Sequence, residues 1–242
     1  MIGLINFTHS IPLYLAYPDK DSVKLETPKG ILKFLENGEV GCGMISLLEY
    51  LRNRDRYILE PLAVIRSARQ TMSTLLVSDG SAIRQGMRIA VTEHTRTTQL
   101  YMEYIMRRMG IQYEIISSGH TDADDLLDEA EYALVIGDEA LKVFQSGHRI
   151  IWDIGYQFNL LTSMSPVFAV TVKRKDAECT HEAGNLKEAL SGSRAKVPEA
   201  VSMAARKTGI RQDILEKYYR TIKYDYTEEA ARTVGFVESL IP

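Results

Sequence analysis

The chain has 242 residues, a net charge of −3 and ordinary shares of apolar and charged residues. That length allows one large domain or two small ones. With no basic block longer than Lys173-Arg174-Lys175, the charge excludes a nucleic-acid or polyanion binder. No apolar run reaches membrane-span length, and no charged segment leads into an apolar one at the start. The expectation is a complete cytoplasmic chain with no membrane partner. Cys42 and Cys179 lie far apart; Cys42 sits in a glycine-rich apolar run and reads as a buried thiol. Neither a disulfide framework nor a metal-ligand spacing is present.

In chain order, Ile2 to Phe7 reads as a buried strand, followed by Thr8-His9-Ser10 and a helix that begins at Ser10 with Pro12 in its first turn. Val23 to Thr27 alternates as a strand. Thr27-Pro28 starts a helix with Ile31, Phe34 and Leu35 on one face, ended by Asn37-Gly38. Val40 to Ile45 is the next strand, and Ser46 caps a helix through Tyr50. Leu62 to Ile65 and Ser73 to Ser78 are further strands. A new unit opens with strand Ile89 to Val91 and the helix after Thr95, on which Met102, Ile105, Met106 and Met109 share one face. Strands at Tyr113 to Ile116 and Tyr132 to Ile136 flank an acidic helix at Asp122 to Ala130, and Gly137-Asp138 leads into another helix. Ile150 to Asp153 precedes a loop rich in Tyr, Phe, Asn, Thr and Ser. Val167 to Val172 is the last strand, and the remainder is helical, with Pro198 and Thr227 as helix starts.

Strands alternating with helices imply a parallel α/β sheet whose ligands bind beyond the strands' carboxyl ends. The elements fall into two groups: lobe 1, residues 1–78 and 166–242, and lobe 2, residues 79–165. Strands Ser73–Ser78 and Val167–Val172 would join them. That plan describes a two-lobed, periplasmic-binding-protein-like (type II) fold with a ligand cleft between the lobes. Two stretches share one design, strand then polar loop then helix: Ser10 follows the first strand, and Thr95, Arg96, Thr97 and Thr98 follow Ile89 to Val91. A helix start has free N–H groups and a positive dipole end, so each is a candidate anion seat, one per lobe. The plainer role is a threonine that only caps its helix.

Four stretches carry a family resemblance. They are Phe7-Thr8-His9-Ser10-Ile11-Pro12-Leu13-Tyr14, Gly38 to Tyr50, Ala90 to Thr98, and Ile136-Gly137-Asp138 with Ala140-Leu141. Together they resemble the chorismate dehydratases of the futalosine route to menaquinone. The resemblance implies the fold above and a carbon–oxygen lyase that removes water from chorismate, giving an enolpyruvyl benzoate without a cofactor. The chain departs from the family pattern at His9, where Asn is usual, at Gly41, where Asp is usual, and across Asp153-Ile154-Gly155 and Leu161 to Pro166. These changes are expected at the cleft.

Such a cleft must hold two carboxylates. Ser10, Ser46, Ser73, Thr95, Thr97, Thr98 and Asp138 are the substrate-binding candidates, with Arg96 as a charged partner. Arg66 and Arg69 are weaker choices. His9 is the catalytic candidate: with an intrinsic pKa near ~6.5 it can act as base or acid, keep an asparagine's positioning role, or simply bond nearby backbone. His94 has a lesser claim. Asp138 can touch substrate or cap the helix that follows it. Rival readings are the sister activity that makes dihydroxynaphthoate from a futalosine-derived intermediate, and a non-catalytic intracellular binder of a small carboxylate. A homodimer is compatible with the chain, which does not fix its oligomeric state.

Overall fold

The computed structural model describes residues 1–92 and 95–241; His94 lies outside them. Its strands form two sheets. The first has six strands: β1 (Ile2–Ile5), β2 (Val23–Glu26), β3 (Cys42–Ser46), β4 (Tyr57–Ser67), β10 (Val167–Arg174) and β11 (Ile222–Asp225), in the spatial order β11-β4-β10-β3-β1-β2. The second has five: β5 (Thr74–Ser78), β6 (Met87–Thr92), β7 (Tyr113–Ser118), β8 (Tyr132–Ile136) and β9 (Arg149–Asp153), in the order β7-β6-β8-β5-β9. β1 runs parallel to both β2 and β3, and β6 parallel to β7 and β8. Each parallel step needs a helical crossover. These are α1 (Ile11–Ala16), α2 (Pro28–Glu36), α4 (Arg96–Met109) and α5 (Ala123–Glu129).

Sequence explains most of these helices locally. Thr27 accepts from the Gly30 N–H and Pro28 opens α2, which buries Ile31 and Leu35. Asp122 accepts from the Asp124 N–H at the start of α5. Along α4, Met102, Ile105 and Met106 are fully buried, but Met109 is half exposed at the last turn, where Gly110 ends the helix in left-handed geometry. Both cysteines are buried and free. No helix among the described residues is long and apolar enough to cross a membrane.

Three features differ from the expectation. Thr74–Ser78 pairs with β8 and β9, so it belongs to the second sheet rather than closing the first lobe. Residues expected as a loop form α7 (Ile154–Thr162), which Asp153 caps by accepting from the Tyr156 N–H at 3.1 Å. β11 adds an antiparallel edge strand to β4 between two C-terminal helices, α10 (Gln212–Thr221) and α11 (Glu228–Glu238). Before them come α8 (Thr180–Ser193) and α9 (Val197–Thr208), while α3 (Leu47–Arg52) follows β3 and α6 (Gly137–Ser146) follows β8.

The two sheets are joined side by side. β4 and β10 are antiparallel neighbours, and the Ser67 N–H donates to the Pro166 carbonyl at 3.2 Å where the chain leaves the first sheet and returns to it. Asp153 braces this region, its Oδ2 accepting from the N–H groups of Thr71 and Met72 at 2.8 and 2.7 Å. Met72 is held in the left-handed region at φ 63°, which costs a non-glycine residue about 1–3 kcal/mol. Gly155 packs so closely here that a Cβ would lie 1.8 Å from Thr71 Oγ1.

Candidate functional site

Between the sheets lies a narrow cleft with about 80 Å³ of interior space. It opens at the carboxyl ends of β1, β3 and β8, as the α/β rule requires. Its apolar walls include Phe7, Ile65, Ile136 and Phe168, and its polar lining is His9, Ser46, Ser73, Thr74 and the run Thr95 to Thr98. Gly137, at φ 64°, sets its backbone against Phe7; a Cβ there would sit 3.5 Å from the ring. Of the residues expected to bind substrate, the structure therefore brings Ser46, Ser73, Thr95, Arg96, Thr97 and Thr98 together with His9. Ser10 and Asp138 do not line the cleft. The aromatic walls Phe7 and Phe168 were missed as site residues. Phe7 could have been found, because it sits directly before the Thr8-His9-Ser10 loop; Phe168 reads as an ordinary strand residue.

The turn that carries His9, a 3-10 turn over Thr8–Ser10, is fixed from three sides. The Tyr219 hydroxyl donates to the Thr8 carbonyl at 2.9 Å, and the Tyr224 hydroxyl to the His9 carbonyl at 2.7 Å. Asp138 Oδ1 accepts from the Thr8 N–H at 3.0 Å. Asp138 was expected to cap its own helix or to meet substrate. Instead its carboxyl oxygen accepts at the start of the His9 turn, and burial raises its pKa against the pull of that N–H and of Lys207 and Lys142. Of the two helix starts expected to seat anions, the one after the first strand is preceded by this turn, whose first N–H is already taken by Asp138. α1 itself is only six residues long, and the Ser10 hydroxyl is buried with no partner among the described residues.

The start of α4 is different. Thr95 stands at its N-cap, makes no side-chain cap, and has a buried Oγ1 with no partner among the described residues. His9 Nε2 and Thr74 Oγ1, both at the cleft, share that condition. An unpaired buried polar atom costs about 1–3 kcal/mol, so three around one cleft mark where a polar ligand would be stabilised. Burial pushes the His9 imidazole down to about 3, so it is neutral at pH 7 and does not titrate near neutrality as its intrinsic value would suggest. The unfolded chain takes up this proton below about 6.5, whereas the folded chain resists until about 3. Stability should thus fall as pH drops through that window, by up to about 1.4 kcal/mol per pH unit from this group. Denaturant titrations of the wild type and His9→Asn across pH should show the wild type losing stability more steeply on acidification; parallel curves would refute it.

Thr97 joins the lobes. Its Oγ1 lies 2.8 Å from Ser46 Oγ and accepts from the Leu48 N–H at 3.1 Å. Ser46, expected to cap α3, makes no cap bond; the hydroxyl from α4 supplies it. Arg96 is half exposed at the mouth and faces Glu49 of α3, with Nε 3.6 Å from Oε1. Thr97→Val should lower stability by about 1 kcal/mol, the loss of a helix cap, and raise KM by loosening the cleft. An unchanged denaturation midpoint and KM would show that the Ser46–Thr97 contact is incidental.

The departures from the family pattern are not gathered at the cleft. Gly41 precedes β3, at the opposite end of that strand from Ser46, with its N–H bonded to the Met1 carbonyl at 3.0 Å. Asp153 to Gly155 and Leu161 to Pro166 border the crossovers. Of the departures, His9 is the one in the cleft lining. Arg66 lies away from it, paired with Asp225 at 2.7 Å. Among the described residues no group of three or more His, Cys, Asp or Glu could hold a metal ion.

A family model described as menaquinone biosynthesis matches residues 1–237. The chain belongs to the menaquinone biosynthesis family. Among curated relatives of this family member is the chorismate dehydratase of Thermus thermophilus, 23% identical over 248 residues, covering 94% of this chain and 90% of that protein. Solved structures agree on the fold. An Archaeoglobus fulgidus protein superposes with a TM-score of 0.77 at 14% identity, covering 99% of this chain and 95% of that one. The periplasmic aliphatic sulphonate binding protein of Escherichia coli gives 0.69 at 13% identity, with 99% and 85% covered. A Candida albicans protein described as having the generic periplasmic binding protein fold gives 0.66 at 11% identity, with 100% and 90% covered. The expected two-lobed, binding-protein-like α/β architecture is therefore the observed one.

Proposed function

We propose that this family member is a chorismate dehydratase, a hydro-lyase that takes water from chorismate and leaves an enolpyruvyl benzoate. One observation carries the reading: Thr95 to Thr98 and His9, from two of the stretches that resemble the dehydratases, face one cleft and present unpartnered polar atoms there. The substrate is a small dicarboxylate, for which a cytoplasmic location is fitting.

The reaction removes the C3 proton and the C4 hydroxyl as water, and the ring becomes aromatic, which supplies the driving force. The cleft's part is positioning and exclusion of water. One carboxylate sits at the start of α4, where first-turn N–H groups and the Thr95 hydroxyl meet it on the positive end of the helix. Arg96 turns from Glu49 to the other carboxylate at the mouth. Phe7 and Phe168 cover the ring. His9, neutral and with Nε2 unpartnered, bonds the departing hydroxyl as a dipole rather than as a charge. An asparagine amide offers the same donor-and-acceptor character, which agrees with the residue usual at that position in the resembling family.

Purified protein incubated with chorismate and resolved by chromatography should yield enolpyruvyl benzoate with loss of the substrate's ultraviolet band. Tight binding without turnover would instead make the protein a receptor for the dicarboxylate, and neither binding nor turnover would overturn the reading altogether.

A further inference from the structure

A second concavity, of about 460 Å³, lies behind the His9 turn, away from the cleft. Its floor is Tyr219, Ile222 and Tyr224, from the end of α10 and from β11. Leu62, Leu190 and Val197 form apolar walls. Three cations surround it: Lys187, Arg194 and Lys223. The carboxylate in its lining, Asp225, is neutralised by Arg66, whose Nη2 is 2.7 Å from Oδ2 and whose side chain is almost wholly buried. Neither Lys187 nor Arg194 has a carboxylate at salt-bridge distance among the described residues. In a chain of net charge −3, this is a local excess of positive charge around an aromatic floor.

We infer that this concavity is a second binding site, for an aromatic anion, and that it is coupled to His9. Tyrosine faces and aliphatic walls suit a flat apolar body, and the rim cations suit a carboxylate or sulfonate carried at its edge. The coupling is direct. The two tyrosines that floor the site are those whose hydroxyls hold the Thr8 and His9 carbonyls on the cleft side. A ring stacked on Tyr224 therefore bears on the backbone of the turn that sets His9 in the cleft. Ser193 and Leu190 add no competing charge, and no residue of this site lines the cleft.

The test is independent of any dehydratase activity. A naphthalene sulfonate would be titrated into the full-length protein and followed by methyl-selective NMR. The methyls of Leu62, Leu190, Val197 and Ile222 report the second site; those of Ile5, Ile65 and Ile136 report the cleft. The expected result is saturable shifts in the first group, with Kd raised about tenfold or more in Arg194→Glu/Lys223→Glu through charge reversal at the rim. The His9 ring resonances should move with the same Kd in the wild type, and move much less in Tyr224→Phe, which keeps the floor but loses the hydroxyl. Shifts confined to the cleft methyls, or an affinity indifferent to the charge reversal, would overturn the site. Binding that leaves His9 unmoved in the wild type would overturn the coupling. Retained folding of each variant is read from its own methyl spectrum.

Discussion

Replacing His9 with alanine should lower the dehydration rate by one to two orders of magnitude, whereas asparagine should hold it within about tenfold of the wild type. The difference follows from the state of the imidazole. Burial keeps it neutral, with its pKa pushed down to about 3, and Nε2 has no partner among the described residues. A neutral ring in that setting contributes a hydrogen bond, and one made to a group developing charge is worth about 1.5–3 kcal/mol. Alanine removes it; asparagine restores a donor and an acceptor at nearly the same reach. Steady-state kcat and KM for the three proteins check this. If asparagine is as slow as alanine, His9 transfers a proton, and the two entering carboxylates must raise its basicity far above that of the empty cleft. The acid branch of the kcat profile would then follow His9 and vanish in both variants.

Asp153→Ala should be the most destabilising single substitution at the crossovers, by about 3–5 kcal/mol. Three backbone N–H groups, those of Thr71, Met72 and Tyr156, converge on this carboxylate. Each hydrogen bond to a charged acceptor contributes about 1.5–3 kcal/mol, and water reaching the partly exposed site recovers some of the loss. Met72 also depends on these bonds to stay at positive φ. Asp153→Asn, with one carbonyl oxygen, keeps the pair of bonds at Oδ2 and should lose less. Urea titrations at constant slope measure the difference. A loss under about 1 kcal/mol in Asp153→Ala would mean that the crossover is held by its packing instead.

Much of this architecture was legible in the chain. The strand–hydroxyl–helix stretches announce themselves because a short apolar run, a polar apex and an amphipathic period are local signals, and both fell at the cleft. What escaped was set by distance. Thr74–Ser78 reads as a strand from its own residues, but its partners lie more than fifty residues later, so its sheet could not be assigned from sequence. Asp138 looks like a helix cap by position, yet it accepts from the Thr8 N–H, 130 residues away. Ser46 is the same case in reverse, its capping task passing to Thr97. The helix Ile154–Thr162 was hidden by composition: Gly155, Asn159 and Thr162 have weak helix preference, and it is Asp153 and packing on Tyr101 and Tyr104 that hold it. The short strand Ile222–Asp225 lies between helices and forms because β4 offers it an edge.

The contact between the Ser67 N–H and the Pro166 carbonyl has a broader consequence. β4 and β10 are two arms of one hairpin, and everything from Ala68 to Ser165 is an insertion at its tip. The two ends of that insertion touch, so the first sheet does not need it to bring its own strands into register. A short linker from Ser67 to Pro166 would close the hairpin, and the excised segment would keep its termini side by side, the arrangement in which grafts and permutations are tolerated. The cleft is then the seam between a host and its guest. Its chemistry depends on a few hydroxyls on either side, while host and guest share apolar packing behind it, Phe158 and Tyr104 of the guest against Phe236 of the host.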